Sequence, residues 1–304
     1  MLTTLTKALA DANKKNYAVG AFNVNNMEIC QAVIRAAEKL KSPVIIQTSE
    51  GAIAYAGIKY LKAITEVAAQ TSAIPTVLHL DHGRDMNIVK DCIRLGWTGI
   101  MYDGSHLSFE KNVKNTLKVV KLAERKEIGV EGELGTIGGA EDIVSARQIL
   151  YTQPEAAKEF VEKTGVDALA IAIGTSHGAY KFKGKAKLDI KLLAEIKKKV
   201  KIPLVLHGAS GVPAAVVAKA QKYGAKLGKP EGVPDSQIKE AIKNGINKIN
   251  TDTDLRLAFD AAVREVIATK PEVFDPRKIL GPAREFIQKI VEHRIKLFGS
   301  VGRG

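Results

Sequence analysis

Three histidines carry the strongest chemical signal in the chain: His82, His177 and His207. Each follows or ends a short apolar run, and His82 is preceded directly by Asp81. Three imidazoles with a fourth position left open form the usual donor set of a catalytic zinc site, and an adjacent carboxylate supplies an acid/base group. The three lie far apart in sequence, so spacing alone does not bring them together. Three independent structural histidines are the alternative reading. Of the other histidines among the chain's six, His79 reads as a buried strand residue, and His106 and His293 as loop and helix-surface positions.

Other polar residues stand at the ends of similar apolar runs: Asn23, Ser49, Glu133, Asn250 and Asp252. Two glycine- or threonine-rich turns precede helical patterns, Gly208-Ala209-Ser210-Gly211 and Thr251-Asp252-Thr253. Backbone N–H groups at such turns and helix starts are suited to phosphate.

These residues converge only if the elements form a barrel. Strand-like runs fall near 17–24, 43–49, 75–81, 98–103, 129–135, 168–174, 203–208 and 247–252. Between them lie amphipathic helical patterns, such as Ile29, Ala32, Val33, Ala36, Ala37 and Leu40 at spacings of three and four. Eight β–α units with near-continuously apolar strands predict parallel strands buried on both faces, closing as a TIM (β/α)8 barrel with its site at the strands' C-terminal ends. A doubly wound open sheet is the competing α/β architecture. Its glycine-rich phosphate loop should follow the first strand, where the chain has Ala21-Phe22-Asn23-Val24 instead.

The chain thus reads as one barrel domain over residues 1–304, with a C-terminal helical extension at 276–299. Residues 136–152, with paired glycines, read as a long functional lid. Residues 225–236 read as a surface insertion. The length of 304 residues suits one barrel with extensions, and 45% hydrophobic against 26% charged residues is an ordinary globular composition. The net charge of +13 comes from lysines spread over helix faces, as at Lys197-Lys198-Lys199, and aromatics are only 5%. That argues against nucleic acid and for attraction of small anions. Cys30 and Cys92 belong to no CxxC pair and read as small apolar core residues of a reducing compartment. No signal peptide follows Met1 and no run of about 18 apolar residues exists, so a cytoplasmic protein without membrane contact is expected.

The motifs LHLDHG (78–83), EGELGTIGGAED (131–142), GTSHGAYK (174–181), LHGASG (206–211) and INTDTDLRLAF (249–259) together resemble the class II fructose-1,6-bisphosphate aldolases. The likeness runs from end to end, and DPRK (275–278) resembles the shorter of two subgroups. The resemblance implies a metal-dependent lyase of glycolysis and gluconeogenesis. It would cleave fructose 1,6-bisphosphate reversibly to dihydroxyacetone phosphate and glyceraldehyde 3-phosphate. Zn2+ would be held by His82, His177 and His207, with Glu133 at an alternative metal position. Asp81 would serve the C4 hydroxyl as acid/base, Asn250 would lie near the enediolate oxygens that the zinc stabilises, and Glu141 would move the C3 proton. Gly178, Lys181, Gly208, Ser210, Asp252 and Thr253 would form the C1-phosphate pocket. Asn23 is a further substrate-binding candidate from its strand end. A monovalent cation (Na+ or K+) would bind near Gly178 and Gly208. Ser49, Arg256, Asp275 and Arg277 would lie near the far phosphate, completed by a neighbouring subunit of a homodimer or homotetramer. Ala140 stands where some members carry a second glutamate, which counts against a mechanism needing both.

Tagatose-1,6-bisphosphate aldolase shares the family and is the alternative substrate reading. A Schiff-base aldolase would need a lysine on an interior strand, typically the sixth, which here is ALAIAIG. Lys248 in the eighth strand could lie inside but belongs to no supporting motif. A metal-dependent amidohydrolase would show HxH at strand one. A non-enzymatic anion-binding scaffold would show no zinc dependence.

Overall fold

The computed structural model describes residues 1–304 apart from 137, 142–143, 147–149, 178–186 and 229. At 138–141, 144–146 and 177 only the backbone is described. In chain order the strands are β1 (Val19–Asn23), β2 (Val44–Ser49), β3 (Thr76–Gly83), β4 (Gly99–Tyr102), β5 (Gly129–Leu134), β6 (Gly138–Glu141), β7 (Val144–Ala146), β8 (Ala168–Ile171), β9 (Ser176–His177), β10 (Leu204–Leu206) and β11 (Ile246–Thr251). Eight of them close in the order β1-β11-β10-β8-β5-β4-β3-β2, every pair parallel. Helices follow the barrel strands, so the fold is the expected TIM barrel and the open sheet is excluded.

Several helices start where a side chain satisfies one of their first N–H groups. Thr4, Asn26, Ser49, Asp85, Ser108, Asp189 and Asp275 each accept a backbone N–H of the helix they precede.

Strand residues alternate between two cores. Phe22, Val44, Ile46, Leu78 and Leu80 pack outward in the main core shared with the helices. Val19, Ala21, Ile45, Val77, Ala168, Ala170 and Val205 fill the barrel's lower interior with Leu5, Leu9 and Ala12 of the N-terminal helix Leu5–Lys15. The same inward parity continued upward reaches Asn23, Gln47, His79, Asp81, Glu131, Glu133, His207, Lys248 and Asn250, all buried. The barrel is therefore apolar at the bottom and polar at the top, which is where a site can be built.

Where a long loop was expected at 136–152, the described residues include short strands. β6 pairs antiparallel with β7 and parallel with β9, setting Gly139 opposite His177. The segment 225–236 is not simply superficial either. Val233 is fully buried, and its N–H donates to the Ser210 carbonyl at 3.0 Å. The helix Pro276–Phe298 packs on helices Met27–Leu40 and Thr253–Thr269, and the Phe298 carbonyl accepts the Ala18 N–H beside β1. Among the described residues no helix is long and apolar enough to cross a membrane.

Candidate active site

Asn23, Asp81, His82, Gly208, Ser210, Asn250 and Asp252 line one cavity at the barrel mouth. Asp81 is its centre. Its Oδ2 accepts from Asn23 Nδ2 at 2.8 Å, and its Oδ1 from Asn250 Nδ2 at 3.0 Å. Both amides are oriented from behind. Gln47 donates to Asn23 Oδ1 at 2.6 Å, and Lys248 Nζ donates to Asn250 Oδ1 at 2.7 Å. Each amide therefore has its oxygen occupied and its NH2 turned to Asp81. Burial pushes the Asp81 carboxyl up. The charges of His82, His207 and Lys248 and the Asn23 hydrogen bond outweigh burial and hold it below its ordinary value.

By alternation only Asp81 of the pair 81–82 should face inward. His82 joins it because its backbone is left-handed, with φ 47°, and because the β3–β4 register shifts between Leu80 and Gly83. A non-glycine residue adopts that conformation uncommonly, and such positions cluster at functional sites.

His82 Nδ1 lies 3.1 Å from Asp103 Oδ2, and His207 Nε2 lies 2.8 Å from Glu131 Oε1. A carboxylate only accepts, so each contact places the ring proton on that nitrogen. The opposite nitrogens, His82 Nε2 and His207 Nδ1, face one another at 3.1 Å. Two nitrogens on a tetrahedral zinc stand about 3.4 Å apart. Glu133 Oε2, buried and without a hydrogen-bond partner, lies 3.6 Å from the Nδ1 atoms of both His82 and His207. Among the described residues two sets of donor atoms lie close enough to share an ion: Asp81, His82 and His207, and His82, Asp103 and Glu133. This donor set fits a divalent cation.

The electrostatics agree. Burial opposes a charge on His82, but Asp81, Asp103 and Glu133 outweigh it and push its pKa up to about 10. The pocket thus favours positive charge there. Burial dominates at His207 and takes its pKa down to about 4, and burial followed by the Asp103 charge pushes Glu133 well up. Asp103, despite burial, is held far below its ordinary value by His82 and Arg84, and its Oδ1 accepts from Ser105 Oγ at 2.6 Å.

Asp103 and Glu131 were not anticipated in this arrangement, and Lys248, expected only as a lysine that could lie inside, proves to orient Asn250. Glu131 and Lys248 stand two residues before Glu133 and Asn250. Stepping back by two from a strand-end candidate finds both.

The remaining expected residues divide. Ser49, buried, caps the helix Glu50–Ala56 through the Ala52 N–H at 3.2 Å. Thr253 begins the helix Thr253–Thr269, and Arg256 binds Asp252 through Nε at 2.9 Å and Nη2 at 2.6 Å. Gly208, at φ 59°, lies so near the Ser176 carbonyl that a Cβ would come within 2.6 Å of it, which sets the backbone just before His177 beside this turn. Asp275 and Arg277 form an exposed ion pair at 2.8 Å and are not among the cavity's lining residues. Gly178 and Lys181 lie outside the described residues, and the side chains of His177 and Glu141 are likewise outside them.

Fold and site together define a metal-dependent barrel enzyme, with converging histidines beside an ionised aspartate. Residues 3–303 match the class-II fructose-bisphosphate aldolase family, and the chain belongs to that family. It is 50% identical over 305 residues to the fructose-bisphosphate aldolase of Thermus caldophilus, covering 100% of both chains. It is 48% identical to that of Giardia intestinalis, covering 99% of this chain and 94% of the relative. Its structure resembles the crystal structure of the YdjI aldolase from Escherichia coli K12, with a TM-score of 0.81 and 32% identity, covering 100% of this chain and 99% of that one.

Proposed function

We propose that the chain cleaves fructose 1,6-bisphosphate reversibly to dihydroxyacetone phosphate and glyceraldehyde 3-phosphate. The observation that carries this reading is the pairing of Asp81, an ionised carboxylate held by two amides, with the facing nitrogens of His82 and His207. Cleavage of the C3–C4 bond needs a base for the C4 hydroxyl and a sink for the electrons released. Asp81 is the base, a role worth roughly 10²–10⁴-fold in rate. His82, His207 and His177, with Glu133 as an alternative ligand, would hold a zinc ion, which would supply the electrophilic pull on the substrate's carbonyl.

The chain's own groups do the rest. Asn250 keeps Asp81 aligned and offers its NH2 beside the oxygens that become negative. Glu141 handles the C3 proton. Phosphate on C1 is taken by the turn at Gly208 and Ser210, the N-terminus of the long helix at Asp252 and Thr253, and Gly178 and Lys181, with a sodium or potassium ion beside Gly178 and Gly208. Holding both ends of the substrate sets the reacting carbons over metal and base. Ser49, Arg256, Asp275 and Arg277 serve the far phosphate in a cytoplasmic homodimer or homotetramer.

A coupled cleavage assay with the fructose and tagatose bisphosphates, before and after chelation, tests the reading. Metal-dependent cleavage of the fructose substrate is expected. Preference for the tagatose epimer, or full activity with metal verified absent, would reject it.

A further inference from the structure

The turn that follows β10 is gripped from outside the barrel. Asp254, fully buried in helix Thr253–Thr269, accepts the Val212 N–H at Oδ1 (2.7 Å) and the Gly211 N–H at Oδ2 (3.2 Å). Arg294, from the C-terminal helix and only 1% exposed, reaches the same Oδ2 with Nε (2.8 Å) and Nη2 (2.7 Å). Its Nη1 extends to Asp235 Oδ1 at 3.1 Å. From the other side, Gly232 lies so close that a Cβ there would come within 2.2 Å of the Gly211 carbonyl carbon.

These contacts hold a conformation the turn does not prefer. Val212 has φ 46°, a left-handed backbone that a β-branched residue adopts only under constraint. The turn's inner side, Gly208 and Ser210, lines the cavity beside Asp81 and Asn250. Backbone amides bind an anion only while they point at a common centre, so the direction of Gly208–Ser210 depends on what fixes Gly211 and Val212.

We propose that Arg294 and Asp254 are positioning residues for the phosphate subsite, through which the C-terminal helix sets substrate affinity without touching substrate. The inference rests on the reading that the Gly208–Ser210 turn takes the C1 phosphate. A buried ion pair adds little net stability over an apolar pair of similar volume, so stability alone gives no reason for it. Its distinctive geometry is that the Asp254 carboxylate is shared between a guanidinium and two amides of the turn. Arginine can span Asp254 and Asp235 at once because its donors form a rigid fork, which lysine lacks.

The test compares Ser210→Ala with the charge-balanced double variant Arg294→Met/Asp254→Leu, which removes the acceptor for the turn without leaving a buried charge unpaired. The readouts are competitive inhibition by inorganic phosphate, KM for the bisphosphate, and metal content. Losing aligned amide contacts to a charged phosphate should raise both constants about tenfold in the double variant, with metal content unchanged. If Ser210→Ala weakens phosphate and a folded, metal-loaded double variant does not, the positioning role is overturned. If Ser210→Ala also leaves phosphate inhibition unaltered, the assignment of phosphate to this turn fails, and the inference with it. Should the double variant not fold, Arg294→Lys carries the test: a rise of about threefold in the phosphate constant is expected, and an unchanged constant overturns the proposal.

Discussion

Lys248 Nζ lies 2.9 Å from Glu131 Oε2 inside the barrel, one inward layer below the mouth, and both side chains are fully buried. This pair links the two halves of the site. Lys248 orients Asn250 and through it Asp81, while Glu131 orients His207. Lys248 is therefore committed as a hydrogen-bond donor to Asn250 and as the ion-pair partner of Glu131 instead of standing free as a nucleophile.

Lys248→Met should cost about 3–5 kcal/mol of stability, because it leaves Glu131 charged and unpaired in the interior. Denaturant unfolding measures it. Lys248→Met/Glu131→Gln should recover most of that loss yet stay slow in turnover, since His207 and Asn250 lose their orienting partners. If the double variant stays as unstable as the single one, the cost arises from packing and not from the unpaired charge.

Borohydride added with substrate should trap no covalent adduct, and chelation should abolish cleavage in a way that returned metal reverses. Mass spectrometry reads the first and a coupled assay the second. An adduct on Lys248 would mean that the lysine leaves its partners to attack the carbonyl.

Asp81→Ala should retain metal and fold but lose about 100-fold or more in turnover. Metal analysis beside single-turnover cleavage checks this, and the variant should still bind a short enediolate mimic. Near-normal turnover in metal-loaded protein would remove Asp81 from the proton transfer.

Asp103→Asn should weaken divalent metal binding by about 10–100-fold, because the Asp103 carboxylate fixes the His82 ring and an amide can turn its NH2 toward the imidazole instead. Titration of metal-free protein with zinc reads this directly. Unchanged affinity would show that Arg84, Ser105 and Asp103 form a structural cluster only.

Arg277→Ala should impair use of the bisphosphate more than use of the sugar carrying only the C1 phosphate. Arg277 is exposed and paired with Asp275, outside the cavity lining; the proposed homo-oligomer would bring it to a neighbouring mouth. Mixed assemblies of Asp81→Ala and Arg277→Ala subunits should recover activity, since one mouth becomes intact. Activity no greater than the sum of the parents would confine Arg277 to its own barrel or to no role.

The sequence by itself determined the barrel, because parallel strands buried on both faces read as continuous apolar runs between amphipathic helices, and eight such units close. It also marked Asp81, His82, His207, Asn23 and Asn250 as polar residues at the ends of apolar runs. Only the tertiary structure decided how the two mouth histidines are oriented. Asp103, just past the end of β4, and Glu131, on β5, belong to other β–α units than His82 and His207, and which ring nitrogen a carboxylate takes depends on angles that no spacing encodes. His82 is a sharper case: alternation turns it away from the mouth, and a left-handed backbone at one residue turns it back. Lys248 and Glu131 were visible by parity, yet a charge pair inside a barrel is read as functional only once its distances to Asn250 and His207 are known. Likewise, residues 225–236 and the C-terminal helix look superficial in one dimension, and their hold on the turn at Gly211 and Val212 exists only because closure of the barrel brings both segments behind it.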